Sequence, residues 1–323
     1  MMRVNCDSIL VWLRRFSLGN YRQLVILCAV LPAIGADAPV KVKPRSLAET
    51  RSSIRVTSQR VVVPVTVLNA SGALVNGLSR ERFRLFDDGV EQTVLSFGQE
   101  DSPVSIGIVF DASRSMESKL ARARDAVRSL LMDSLPHDEF HLVEFNDSPR
   151  LLCELTSNTA DLQRALGGVK AQGWTALFDG IMMGAQKMRR AGNSRRALVI
   201  LSDGADNFSR YQESEVKAYL REAGVVVFAI TLTGSAPPTH QTHHLRALAR
   251  ETGGWAYSIG NLEKMTEAVR AIGVAIRTQY MLTYAPTNGK SDGKLHRIAV
   301  QLAPKDPGFA ASWRSSYYAV DLR

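Results

Sequence analysis

The sequence predicts an α/β protein, a doubly wound, mostly parallel, Rossmann-like sheet flanked by short N- and C-terminal β segments. Three observations carry this expectation. Between Val104 and Arg277, apolar strand-like runs alternate with amphipathic helical ones, the succession that builds a parallel sheet with helices on both faces. Two of the runs, VSIGIVF (104–110) and RALVIL (196–201), have the near-continuous apolar character of strands covered on both sides. Both end abruptly at small polar residues and an aspartate, Asp111 and Ser202-Asp203.

The elements follow in chain order. Arg14, Arg15 and Arg22 precede the apolar run Leu24–Ile34, which closes on Gly35, Ala36 and Ala38. This is the layout of an export signal, and the run is short for a spanning helix. Residues 1–36 are therefore expected to be a signal peptide, with an uncleaved anchor as the alternative, and 37–58 a flexible tether. Residues 59–100 read as a small β unit: RVVVPVTVL, with Pro64 pointing to an edge position or a bulge, then a turn at Asn69–Gly72. Phe83–Phe86 and Thr93–Phe97 are joined by an Asp87-Asp88-Gly89 hairpin. Residues 101–278 form the alternating core. Its helices are expected at 117–134, 161–169, 173–190, 211–223, 245–251 and 262–277, and its strands at 104–110, 140–145, 151–155, 196–201, 225–230 and 255–258. Residues 279–323 return to β at Gln279–Tyr284, Leu295–Leu302 and Ser316–Val320, placed to pack with 59–100.

Composition narrows the function classes. The whole chain of 323 residues carries a formal charge of +9. Without residues 1–36, which hold four arginines and one aspartate, it carries +6 (36 basic against 30 acidic). The basic residues are dispersed and no basic stripe is interleaved with aromatics, so nucleic acid is not an expected partner. Cys6 and Cys28 leave with the signal, and the remaining Cys153, in an apolar run, is expected to be a buried inert thiol.

The chemistry concentrates at the strand ends. In an open doubly wound sheet, functional groups gather at the carboxyl ends of strands beside the switch point. There the strand ending at Asp111 and the strand ending at Asp203 are expected to be neighbours. Ser113 and Ser115 follow Asp111 at a spacing of two, and Thr175 begins the helix that leads to the second strand. Two carboxylates and three hydroxyls converging in one crevice are the oxygen donors of a hard-cation site. Other clusters are weaker. His240, His243 and His244 lack the HExxH spacing of a zinc protease and are expected on a surface loop. Trp174 and Trp255 are expected to be core or rim aromatics. Asn207-Phe-Ser209 fits a glycosylation sequon, a pattern common by chance.

On these residues the sequence resembles the von Willebrand factor type A (VWA) domain. Asp111-Ala-Ser113-Arg-Ser115 is similar to that family's DxSxS loop, Thr175 in GWTALFDG to its separate threonine, and Asp203 in Ser202-Asp203-Gly204 to its later aspartate. The resemblance covers about residues 104–277. It implies a metal-ion-dependent adhesion site (MIDAS) for Mg²⁺, or Mn²⁺ or Ca²⁺. Ser113 and Ser115 would then coordinate directly, Thr175 directly or through water, and Asp111 and Asp203 through water or as charge balance. It further implies an exported binding module of the cell envelope that captures an Asp or Glu side chain of a partner protein. The wider layout resembles exported bacterial proteins in which a stretch like Phe83–Gly89 (FRLFDDG) precedes the domain and a tyrosine pair like Tyr317-Tyr318 closes the chain. The competing function is a Mg²⁺-dependent hydrolase such as a phosphatase. Against it, the second position after Asp111 is Ser113 where aspartyl-phosphate phosphatases carry an acid, and no P-loop, GxSxG or HExxH occurs.

Overall fold

The computed structural model describes residues 60–99, 102–203, 206–233, 240–287, 292–303 and 308–319, without the side chains of 240–242. The expected signal and tether, 1–36 and 37–58, lie outside the described residues. So does a unit boundary at Ile54, and everything described belongs to the unit Arg55–Arg323.

The chain opens with β1 (Val61–Asn69), followed by β2 (Phe83–Asp87), β3 (Val90–Gln92) and β4 (Val94–Gly98). The α/β core then runs β5 (Val104–Asp111), α1 (Leu120–Met132), β6 (Glu139–Phe145), β7 (Pro149–Thr156), α2 (Thr159–Gly167), α3 (Leu177–Lys187) and β8 (Arg195–Ser202). It continues with α4 (Glu213–Ala223), β9 (Val226–Leu232), α5 (His240–Thr252), β10 (Ala256–Ile259) and α6 (Met265–Thr278). The tail supplies β11 (Tyr280–Tyr284), β12 (Leu295–Leu302), β13 (Phe309–Trp313) and β14 (Ser316–Tyr318).

The core sheet has the order β10-β9-β8-β5-β6-β7. All neighbours are parallel except β7, which turns back antiparallel on β6 after the tight Asn146–Ser148 connection. All eight residues of β5 are buried, because the strand has a partner on both edges and helices on both faces. Strand alternation divides its side chains. Val104, Ile106, Ile108 and Phe110 join α1, α2 and α6 in one apolar cluster, while Val109 faces α3, α4 and α5 in a second. The fold class is the one the alternation predicts, an α/β VWA-type architecture.

The flanking strands make two further sheets, β13-β1-β11-β4 and β14-β12-β2-β3, each mixing strands from both ends of the chain. They share one core that includes Val63, Val65, Leu85, Tyr280, Leu282, Tyr284, Val300 and Tyr317. Gln279 Nε2 ties this unit to the α/β core by donating to Thr66 Oγ1 and to the Gly253 carbonyl, each at 2.9 Å.

Several elements depart from the sequence expectation. Pro64 lies in β1, an interior strand of its sheet. Pairing with β13 starts only at Val65, whereas 61–65 pair with β11, so the missing N–H falls where one side of the strand is open. The single strand expected at Thr93–Phe97 belongs to β4, and β3 precedes it in a different sheet. β13 is an unpredicted strand, since FAASW has neither β-branched residues nor clear alternation. The three histidines start α5 instead of sitting on a loop, and Cys153 is half-buried rather than buried.

His141 on β6 is fully buried with neither ring nitrogen hydrogen-bonded. Gly107 makes room for it: a Cβ there would lie 2.3 Å from His141 Cε1. Burial pushes the imidazole pKa down to about 4; the charge of Glu154 opposes that fall and the charge of Lys187 adds to it. The folded protein thus takes up its proton at lower pH than the unfolded chain. The stabilisation this site retains above pH 6.5 is therefore lost as pH falls through the window from 6.5 to 4. The loss amounts to about 3 kcal/mol at its acid end, from 1.36 kcal/mol per pH unit. His141→Leu is expected to flatten that part of the pH–stability curve relative to wild type in chemical denaturation at pH values across the window. Parallel curves for the two proteins would refute the assignment.

Candidate metal centre

The crevice opens where the central strands end. β5 and β8 run parallel with Phe110 opposite Leu201, so Asp111 and Ser202 leave the sheet side by side. Ser202 Oγ donates to Asp111 Oδ2 at 2.5 Å, and the Ser113 backbone N–H donates to Asp111 Oδ1 at 2.8 Å. Asp111 is wholly buried, and burial pushes its pKa up to about 6; the Ser113 and Ser202 hydrogen bonds oppose that rise and the charge of Asp203 adds to it. After Asp111 the chain makes a short 3₁₀ turn, Arg114–Met116, which brings Ser113 Oγ and Ser115 Oγ to 3.1 Å. Adjacent oxygens around octahedral Mg²⁺ stand about 2.9 Å apart, as its bond length of about 2.0–2.1 Å requires.

Thr175 reaches the same place on a loop that the sequence builds carefully. Gly173 has φ +72°, and a Cβ on it would sit 2.5 Å from Asp147 Oδ2. The same carboxylate accepts the Trp174 N–H at 2.7 Å. Backbone bonds stitch this loop to the DxSxS turn, Arg114 N–H to the Gly173 carbonyl and Gln172 N–H to the Ala112 carbonyl. Thr175 and Asn207 clasp each other: Thr175 N–H donates to Asn207 Oδ1 at 2.9 Å, and Asn207 N–H to the Thr175 carbonyl at 3.0 Å. Asp206 Oδ1 accepts the Leu177 N–H at 2.9 Å, supplying from outside the helix the cap that Ala176 cannot give α3. Buried Asp179 accepts the N–H groups of Arg210 and Tyr211 at 2.9 and 3.0 Å. The segment after β8 is in this way fastened to the start of α3. Ser113, Ser115, Thr175 and Asn207 line one open depression of about 520 Å³, with Arg114 and exposed Trp174 also on its wall.

Asp203 completes the crevice unevenly. Its Oδ2 pairs with Lys119 Nζ at 3.1 Å, while its Oδ1 is buried with no hydrogen-bond partner. A buried carboxylate oxygen left without a donor is costly. Two carboxylates near one another, one driven towards protonation and one with an orphaned oxygen, are satisfied by a cation. The donor set is thus suited to a hard divalent ion.

Of the five expected residues, Ser113, Ser115 and Thr175 line the depression, Asp111 holds the Ser113 N–H behind it, and Asp203 lies close enough for its charge to act on Asp111; sequence reading missed their supports. Asn207 and Ser209 stood out only as a sequon, yet Asn207 positions Thr175, and Ser209 Oγ accepts the Phe178 N–H at 2.9 Å. Asp147 follows a strand in a turn-like Asn-Asp-Ser-Pro run, a signal consistent with any loop. Lys119 carries none. Of the histidines, His243 is exposed and His244 Nδ1 bonds the Glu213 carboxylate.

Known proteins match the same region. A family profile described as von Willebrand factor type A domain matches residues 106–205. The matched stretch lies within the α/β unit, which has the VWA fold. Inter-alpha-trypsin inhibitor heavy chain H4 of Bos taurus is 27% identical over 134 residues, 38% of this chain and 15% of its own length. The Homo sapiens protein is 24% identical over 175 residues, 50% of this chain and 19% of its own. The chain therefore spans less than a fifth of these curated relatives. Among solved structures, a von Willebrand factor type A protein from Catenulispora acidiphila superposes with a TM-score of 0.50 at 14% identity, covering 82% of this chain and 74% of that one. Proximal thread matrix protein 1 of the mussel byssus, in a form with a zinc-occupied MIDAS motif, gives 0.49 at 18% identity over 59% of this chain and 49% of that one.

Removing the external cap tests the clasp. Asp206→Ala is expected to cost about 1 kcal/mol, the typical value of a lost helix cap, read as a lower unfolding midpoint. An unchanged midpoint would show that α3 holds its first turn without the loop.

Proposed function

We propose that Asp111, Ser113, Ser115, Thr175 and Asp203 hold a divalent cation, Mg²⁺ first among them, and that this cation captures an Asp or Glu side chain of a partner protein. VWA domains are metal-dependent protein-interaction modules, and the reading carries that role to this crevice. The observation that supports it most is the orphaned Oδ1 of Asp203, buried across from a carboxylate whose own oxygens are already engaged by Ser113 and Ser202. Ser113 and Ser115 offer hydroxyl oxygens for direct contact, Thr175 offers a third directly or through water, and Asp111 and Asp203 balance the charge. The bound ion supplies an open coordination position for a carboxylate from another molecule. Lys119 holds Asp203 Oδ2 meanwhile and opposes the cation electrostatically.

The same proposal covers the rest of the chain: an exported envelope or extracellular protein, with 1–36 as signal or anchor, 37–58 as tether and 101–278 as the VWA domain between β segments 59–100 and 279–323. Among the described residues no helix is long and apolar enough to cross a membrane.

In calorimetric titration with Mg²⁺, Asp111→Ala is expected to abolish binding at the crevice, and equal affinity of variant and wild type would sink the assignment. Lys119→Met is expected to tighten binding about fivefold, the effect of removing roughly 1 kcal/mol of charge repulsion; weaker binding would show that the lysine supports the ion instead. Capture of a partner from envelope extract is expected to vanish both with EDTA and in Asp111→Ala, and capture indifferent to both would exclude the metal as the link.

A further inference from the structure

A second cluster of charged groups lies in the β unit, where FRLFDDG and the tyrosine pair meet. Asp87 ends β2, Asp88 occupies the following turn at φ +47°, His296 lies on β12 and Tyr317 on β14. One ligand atom from each of Asp87, Asp88 and His296 falls within 4.8 Å of the others.

Each of these three side chains is held by one atom and contributes another to the cluster. Asp87 Oδ2 accepts the hydroxyls of Tyr284 at 3.0 Å and Tyr317 at 2.9 Å, while its Oδ1, in a side chain 1% exposed, has no hydrogen-bond partner. Asp88 Oδ1 accepts the Arg297 N–H at 2.9 Å, leaving Oδ2. His296 Nε2 lies 3.2 Å from the Asp292 carboxylate. The buried Nδ1 of His296 makes no hydrogen bond, although Asp88 Oδ2 is 2.9 Å away and Asp87 Oδ1 3.7 Å. Tyr317 stacks on the imidazole at 5.4 Å and fixes its plane.

We propose that Asp87, Asp88 and His296 form a binding site for a divalent transition-metal ion of the zinc–manganese class. Among the described residues His296 is the only basic side chain within ion-pair reach of the two carboxylates, and the buried Asp87 Oδ1 has no donor to satisfy it. Separations of 2.9 and 3.7 Å bracket the ligand–ligand edge of about 3.4 Å that a tetrahedral ion with bonds of about 2.0–2.1 Å requires. A carboxylate behind the histidine is the usual support of a ligating imidazole, and Asp292 has that position. The Asp88 side chain is 48% exposed, so the remaining coordination position faces water. An ion here would staple strands 209 residues apart in sequence, joining the N-terminal hairpin to the C-terminal strands. The inference does not depend on the crevice at Asp111.

The test titrates Zn²⁺ and, separately, Mn²⁺ into chelator-stripped full-length wild type, Asp111→Ala, Asp88→Asn and His296→Gln, with unfolding midpoints measured alongside. Asp111→Ala is expected to keep one bound equivalent and a metal-dependent rise in midpoint. Asp88→Asn and His296→Gln are expected to weaken that equivalent by at least about tenfold, and Asp292→Asn by about 10–100-fold. Co²⁺-loaded Asp111→Ala is expected to show visible d–d bands that His296→Gln lacks. Asp88→Asn decides the matter if His296→Gln fails to fold, because asparagine tolerates the left-handed turn and keeps the acceptor for Arg297. The proposal is overturned if Asp111→Ala binds neither metal saturably, or if Asp88→Asn retains full affinity, in which case the cluster is an imidazolium ion pair only. A wild type whose single equivalent survives Asp111→Ala and is lost in Asp88→Asn supports this site and sinks the crevice instead.

Discussion

A carboxylate buried at the end of the central strand sets the terms for the α/β unit. Asp111 sits where β5 leaves a sheet that covers it on both edges, and its charge is stabilised by the Ser202 hydroxyl and the Ser113 N–H. Hydrogen bonds to a charged group contribute about 1.5–3 kcal/mol each, so two of them only partly offset the removal of a carboxylate from water. The geometry that supplies them is demanding. It needs β8 beside β5 in register and the DxSxS turn folded back, and the turn in turn leans on the loop at Gly173. The crevice is therefore a consequence of sheet order, and its unfilled electrostatic demand is what points to a cation.

The supports of that crevice come from outside the familiar signature. Asp147, Asp179, Asp206 and Asn207 spend their acceptors on backbone N–H groups of neighbouring loops. Polar side chains that replace missing secondary-structure partners hold irregular segments in one conformation. A divalent ion with a strict octahedral preference benefits from that rigidity. Lys119 works in the other sense, holding Asp203 through an ion pair.

The β unit shows a related economy. Strands from both ends of the chain share one core, and its buried polar cluster gathers Asp87, Tyr284, His296 and Tyr317. Burial and the nearby Asp87 carboxylate push both phenols well above the usual tyrosine range, so they remain donors to that carboxylate. The sequence-level pairing of FRLFDDG with a closing tyrosine pair has a physical meaning in this arrangement: the two motifs complete each other's hydrogen bonds across β2 and β14.

Local pattern determined much of this protein. The apolar run of 104–110 buried on both sides, the 3.6-residue periodicity of the helices and the strict order of Asp111, Ser113, Ser115, Thr175 and Asp203 announce a doubly wound sheet with an oxygen-lined edge, because burial and strand termination leave their marks on neighbouring residues. What local pattern lacks is long-range pairing. FAASW becomes β13 only because β1 offers it a free edge beyond Val65, and Pro64 is tolerated because that edge is open one residue earlier. Asn207 and Asp206 acquire their roles when the loop after β8 meets the start of α3. Asp87 and His296 meet only through the antiparallel pairing of β2 with β12. Tertiary structure decided those contacts, since hydrogen bonds between residues distant in the chain have no signature in the sequence beside them.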